Sequence, residues 1–232
     1  MTFKQHIPNS LTSLNLFSGM VGIYFAFQGD LTFAAYCIFL AAVFDFLDGF
    51  AARLLKVSSE IGKQLDSLAD LVTFGVLPAF ILFQLIEQNT SNTILPFIAF
   101  IIGVFSAVRL AKFNIDERQS DRFIGVPTPA NALFISTLPF LMDKFGNSVA
   151  FLENAYVLVC LALICSFLLV AELPLIALKF KTKQWKGNEF RFILIILGAT
   201  LILSLGWAGI PLLIITYIVL SVVEGLVQKN AP

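Results

Sequence analysis

The sequence predicts an all-α integral membrane protein, and three observations carry that reading. Hydrophobic residues make up 58% of the 232-residue chain and charged residues 13%, whereas a soluble domain carries roughly 25% charged. The apolar residues come in runs near the ~20 residues that a helix needs to cross a bilayer, separated by short polar breaks. Basic residues are also shared unevenly among those breaks, as loops on opposite sides of a membrane share them. Net charge is zero, so no nucleic-acid partner is expected.

Taken in order, the runs divide into about eight transmembrane helices: Leu11–Gln28, Leu31–Leu55, Ile61–Gln88, Ile94–Asn114, Thr128–Phe145, Phe151–Phe180, Phe190–Leu205 and Gly209–Gln228. Met1–Ser10 is polar, with Phe3 and Ile7 on one possible helical face, and reads as a short interfacial helix or a tail. Nothing at the start resembles a cleavable signal peptide. Cys37, Cys160 and Cys165 lie in apolar runs without ligand spacing and read as small packing residues. The last two runs, broken at Gly206-Trp207-Ala208-Gly209, form the least distinct division. The charged stretch Asp116–Arg122 reads as a solvated loop.

Eight spans place both termini on the side of the loops after spans two, four and six. Of the 15 basic residues only Lys144 then falls on the other side. The excess of Lys and Arg puts that shared side in the cytoplasm. The chain is therefore expected in the cytoplasmic membrane.

Four aspartates break the apolar pattern: Asp45 and Asp48 in the second span, Asp66 and Asp70 in the third. Each costs roughly 2.5–3.5 kcal/mol at the middle of a membrane helix, a cost that falls if the carboxylates share a cation. Spacings of three and four put each pair on one helical face. Gly49 and Ala52 extend the first stripe and Gly62 precedes the second, so another backbone or a phosphate can approach closely. Asp45 lies about 21 Å along its helix at ~1.5 Å per residue, past the bilayer middle toward the cytoplasm. Arg109 reaches the same level from span four. Carboxylates without His or Cys suit hard ions, Mg²⁺, Mn²⁺ or Ca²⁺. Two such ions sharing four carboxylates could clamp a phosphoryl displacement, with Arg53 placed to pair with a phosphate. From the residues alone, two other readings stay open: a cation or proton pathway, and plain ion pairing with Arg53, Lys56, Lys63 and Arg109 at the membrane edge.

The run from Asp45 to Asp70 has the form D-x2-D-G-x2-A-R-x8-G-x3-D-x3-D. At every specified position it resembles the signature of the CDP-alcohol phosphotransferase family. Further stretches are similar to the membrane-embedded phosphatidylserine synthase branch: Phe74-Gly75-Val76-Leu77-Pro78, Arg109-Leu110-Ala111-Lys112-Phe113-Asn114 and Phe123-Ile124-Gly125-Val126-Pro127-Thr128-Pro129. Val126 and Thr73 stand where that branch is expected to have Leu and Ser. The resemblance implies a helical bundle with a six-helix catalytic core (1–180) and a two-helix extension (181–232). It also implies a homodimer, two bound Mg²⁺ or Mn²⁺ ions, and transfer of a phosphatidyl group from CDP-diacylglycerol, a membrane lipid, to L-serine with release of CMP.

Residue by residue, the resemblance makes Asp45, Asp48, Asp66 and Asp70 metal ligands and Asp70 also the general base. Gly49, Ala52, Arg53 and Gly62 become the CDP-lipid surface. Asn9 and Thr12 join them, or else cap the first span. Arg109 and Asn114 are candidates for the serine carboxylate, with a snorkelling role as the alternative for Arg109. The competing acceptor is glycerol phosphate: phosphatidylglycerolphosphate synthases tend to carry Pro and Lys where this chain has Ser67 and Leu71. An ion-coupled transporter should show broken helices or repeat symmetry, and neither is visible.

Overall fold

The computed structural model describes residues 3–116, 123–176, 184–185 and 188–229. The charged residues 117–122 and the basic residues 177–183 lie outside the described residues. The chain is a bundle of helices. Helix α1 runs over Phe3–Phe27 and α2 over Leu31–Leu55. The third stretch joins α3 (Glu60–Asp70), a π-helical turn (Leu71–Val76) and α4 (Leu77–Glu87). A 3-10 turn (Leu95–Phe100) leads into α5 (Ile101–Ile115).

Side-chain pairs fix how these helices run. As residue numbers rise along α1 they fall along α2: Thr12 meets Asp48, and Phe25 lies 4.3 Å from Phe33, centroid to centroid. The pair is antiparallel. Against the third stretch α1 runs parallel, since Asn15 meets Asp70 and the Phe27 ring lies 5.0 Å from that of Phe80, centroid to centroid. Helix α5 is antiparallel to that stretch, with Lys63 at Asn114 and Phe83 at Phe97. The third stretch is the centre of the bundle: Phe74, Leu77, Ile81, Leu82 and Ile86 are fully buried.

Beyond α5 the chain forms β1 (Phe123–Ile124), α6 (Thr128–Ser136), α7 (Leu138–Phe145), a 3-10 segment (Gly146–Glu153), α8 (Ala155–Val170) and β2 (Pro174–Leu175). The two short strands pair antiparallel. Gly125 makes this closure possible. Its φ of +74° and a backbone carbonyl (Leu169) 2.6 Å from where a Cβ would sit leave no room for a side chain. The sixth apolar run therefore ends as helix at Val170, ten residues before the expected Phe180, because Ala171–Ile176 leave the helix to reach β1.

Helices α9 (Glu189–Leu205) and α10 (Gly209–Lys229) join through a 3-10 turn at Gly206–Ala208. Arg191 Nη1 lies 3.4 Å from Glu224 Oε1, 33 positions away in sequence. A straight helix would separate them by about 50 Å, so the pair is a hairpin, turned at Gly206 with φ +62°.

Five helical stretches among the described residues are long and apolar enough to cross a membrane, or six if Thr128–Glu153 and Ala155–Val170, bent by 90°, form one span. The polar start expected as an interfacial helix or tail is, from Phe3 on, the first turns of α1 itself. Large apolar side chains cover the outside: Phe17, Phe46 and Phe167 are at least 60% exposed. Such a surface suits lipid and is far beyond the apolar patches that soluble monomers expose.

Candidate active site

Three of the four aspartates gather in space. Carboxylate oxygens of Asp45, Asp48 and Asp66 all lie within 4.8 Å of one another. Asp45 and Asp48 share a face of α2, while Asp66 comes from α3. The tight Lys56–Ser59 link between these helices makes the meeting possible: Lys56 takes the left-handed conformation that ends α2 (φ 52°), and Ser59 Oγ caps α3 by accepting from Gly62 N at 3.0 Å. Such a group of oxygen donors fits a hard divalent ion.

Helix α1 supplies the supports. Thr12 Oγ1 donates to Asp48 Oδ2 at 2.6 Å, and Asn15 Nδ2 donates to Asp70 Oδ1 at 3.3 Å. Thr12 and Asn15 are buried, three apart and on one face, so a single helix orients a carboxylate on each of two others. Asn15 is a site neighbour that the sequence reading passes over. The available signal was an amide inside an apolar span, which needs a polar partner there. Thr12, expected on the CDP-lipid surface or as a cap, is buried in the third turn of α1, where it lines the cleft beside the carboxylates and donates to one of them.

A cleft of about 210 Å³ opens beside the carboxylates, lined among others by Asn9, Thr12, Gly49, Ala52, Gly62 and Lys63. A Cβ on Gly62 would stand 2.9 Å from Ser59 Oγ and 3.0 Å from Asn9 Oδ1, closer than side chains tolerate. Gly49, Ala52 and Gly62, the small residues predicted from the sequence, line the cleft next to the acidic group. Arg53 does not line this cleft. Its Nη1 lies 3.5 Å from where a Gly49 Cβ would be, so the exposed guanidinium folds back over Gly49 at the rim.

Arg109 and Asn114 are not brought together. Asn114 Nδ2 donates to Ser67 Oγ at 2.8 Å, and its carbonyl accepts from Lys63 Nζ at 3.0 Å, which ties α5 to α3. Arg109 is buried elsewhere on α5. It lines a second cleft of about 400 Å³ with Lys112, Ile124 and Glu172, and its guanidinium carbon lies 5.7 Å from the Phe113 ring centroid. Asp70 and Tyr217 are within its electrostatic reach.

Known proteins resemble the chain over most of its length. The sequence profile of the CDP-alcohol phosphatidyltransferase family matches residues 5–169. A CDP-diacylglycerol–serine O-phosphatidyltransferase of Helicobacter pylori is 31% identical over 197 residues, 82% of this chain and 79% of that protein. The proteins of that name from Bacillus subtilis and Saccharomyces cerevisiae are 32% and 36% identical, over 67% and 62% of this chain and 87% and 57% of their own lengths. The matched region contains every helix that contributes to the acidic cluster and the adjoining cleft, and on that basis the chain belongs to the CDP-alcohol phosphatidyltransferase family.

Proposed function

We propose that this enzyme transfers the phosphatidyl group of CDP-diacylglycerol to L-serine, giving phosphatidylserine and CMP. The observation that carries the reading is the convergence of Asp45, Asp48 and Asp66 beside a cleft walled by Gly49, Ala52 and Gly62. The choice of serine rests on the relatives' names and on Ser67 and Leu71, which add no positive charge for a phosphorylated acceptor.

In this reading the four aspartates hold two divalent ions, Mg²⁺ or Mn²⁺, which when bound offset the charge of the diphosphate. Gly49, Ala52 and Gly62 let the nucleotide approach the backbone, with Asn9 and Thr12 along the cleft and Arg53 at its rim pairing with a phosphate. Asp70, steadied by Asn15, accepts the proton of the acceptor hydroxyl as that oxygen bonds to the β-phosphorus and the bond to CMP breaks. Arg109 attracts the serine carboxylate, with Asn114 fixing α5 against α3. Residues 1–180 form the catalytic core and 181–232 an extension of it. The enzyme sits in the cytoplasmic membrane as a homodimer, its site facing the cytoplasm.

The test supplies purified full-length protein in detergent with CDP-diacylglycerol, Mn²⁺ and labelled serine, glycerol 3-phosphate or inositol in parallel. Serine is the preferred acceptor, and Asp70→Asn abolishes turnover while the protein still inserts. Preference for glycerol 3-phosphate overturns the acceptor; full activity of Asp70→Asn overturns the assigned base.

A further inference from the structure

Six buried polar atoms have no hydrogen-bond partner among the described residues: Asn15 Oδ1, Ser106 Oγ, Arg109 Nε, Thr128 Oγ1, Asn131 Nδ2 and Ser166 Oγ. Each belongs to a residue no more than 6% exposed. A buried polar group without a partner costs roughly 1–3 kcal/mol, and native interiors rarely leave several close together. They come from four helices, three of which, α1, α5 and α6, pack against the π-helical turn that follows Asp70. Ser106 and Arg109 are three apart on α5, and Thr128 and Asn131 three apart on α6, so each pair shares a face. Ser106 Oγ comes within 3.2 Å of where a Gly75 Cβ would be, which sets it against the π-helical turn that follows Asp70. Ser166, on α8, lies two residues before Leu168, whose carbonyl accepts from Val126 N at 2.9 Å, two residues before Thr128. Helix α5, which carries Ser106 and Arg109, also packs against α6 and α8.

The free atoms form a mixed set. Arg109 Nε and Asn131 Nδ2 are donors; Asn15 Oδ1 is an acceptor; the three hydroxyls serve as either. One cation with neutral donors and acceptors matches a zwitterion, whose carboxylate needs donors and whose ammonium needs oxygens. It is poor for a phosphate dianion, which favours several cations.

Resting on the serine reading above, we propose that Thr128 and Asn131 of α6 are specificity-determining residues: Asn131 donates to the carboxylate of the acceptor amino acid beside Arg109, and Thr128 accepts from its ammonium group. Thr128 and Asn131 are absent from the lining of the small-residue cleft, and their helix packs against the π-helical turn.

The experiment measures serine-dependent CMP release by full-length wild type, Thr128→Val, Thr128→Ser and Asn131→Leu in detergent, with a thermal unfolding curve for each. Thr128→Val and Asn131→Leu each raise the KM for serine about tenfold, the worth of one hydrogen bond to a charged group, and raise it more than they lower kcat. Thr128→Ser restores the wild-type KM. A serine KM equal to wild type in both variants, with only the unfolding temperature changed, overturns the inference and marks these groups as sites of internal water. Absence of serine-dependent CMP release from the wild type overturns the reaction itself, and the inference with it.

Discussion

Asp48 is buried beside Asp45 and Asp66 and accepts a 2.6 Å hydrogen bond from Thr12. A hydrogen bond to a charged group is worth about 1.5–3 kcal/mol, and this one also fixes where the carboxylate points. Thr12→Val keeps the shape and removes the donor. It is expected to lower kcat/KM for CDP-diacylglycerol at least about tenfold, whereas Ser13→Ala, on the exposed side of the same turn, leaves it within about twofold. Equal rates for the two variants would show that Thr12 only fills space. The four aspartates were legible in the sequence because charge inside an apolar run is costly and must have a reason. Asn15 was not, because an amide costs less and gives no motif.

Helix α1 is the element that assembles the site, since it touches α2 through Thr12 and the third stretch through Asn15 and Gly19. A Cβ at Gly19 would press on Thr73, 3.0 Å from its Cα, and the adjoining backbone belongs to the π-helical turn. Thr73 Oγ1 in turn donates to the Asn15 carbonyl at 3.2 Å. Gly19→Ala is therefore expected to destabilise the protein by about 1–3 kcal/mol through overpacking against backbone, read as a lower unfolding temperature in detergent. Met20→Ala, at a position 51% exposed on the outer face, should leave that temperature nearly unchanged. The helices themselves were legible from run length. The π-helical turn was not, because over six residues hydropathy cannot separate its period from 3.6. Nor were the two-residue strands, whose pairing depends on Gly125 meeting the carbonyls of Leu169 and Leu173, far away in sequence.

Across the whole molecule, the alternating directions of α1, α2, the third stretch and α5 carry the acidic cluster, the Lys56–Ser59 link and the end of α5 to one end of the bundle. Lys144 marks the other end, where its Nζ donates to the Leu205 carbonyl at 2.9 Å. Under the proposed topology the first end faces the cytoplasm, the side to which the charge bias assigns it. In a variant without native cysteines, a cysteine replacing Ser58 should be protected from an impermeant maleimide in right-side-out vesicles, and one replacing Asn147 should react; the reverse pattern would invert the topology. Length and charge carry the proposed orientation, but the bend between Glu153 and Ala155 and the hairpin at Gly206 depend on backbone conformations that composition does not encode.

The central claim is that carboxylates from two neighbouring helices hold divalent metal for the reaction. Its most direct test is Mn²⁺ titration of the purified full-length protein followed by electron paramagnetic resonance, with and without CDP, for wild type and Asp66→Asn. Wild type is expected to bind Mn²⁺ saturably, more tightly with CDP, and Asp66→Asn to lose that binding at the same concentrations, with both proteins equally folded. Identical Mn²⁺ binding curves for the two proteins would contradict it.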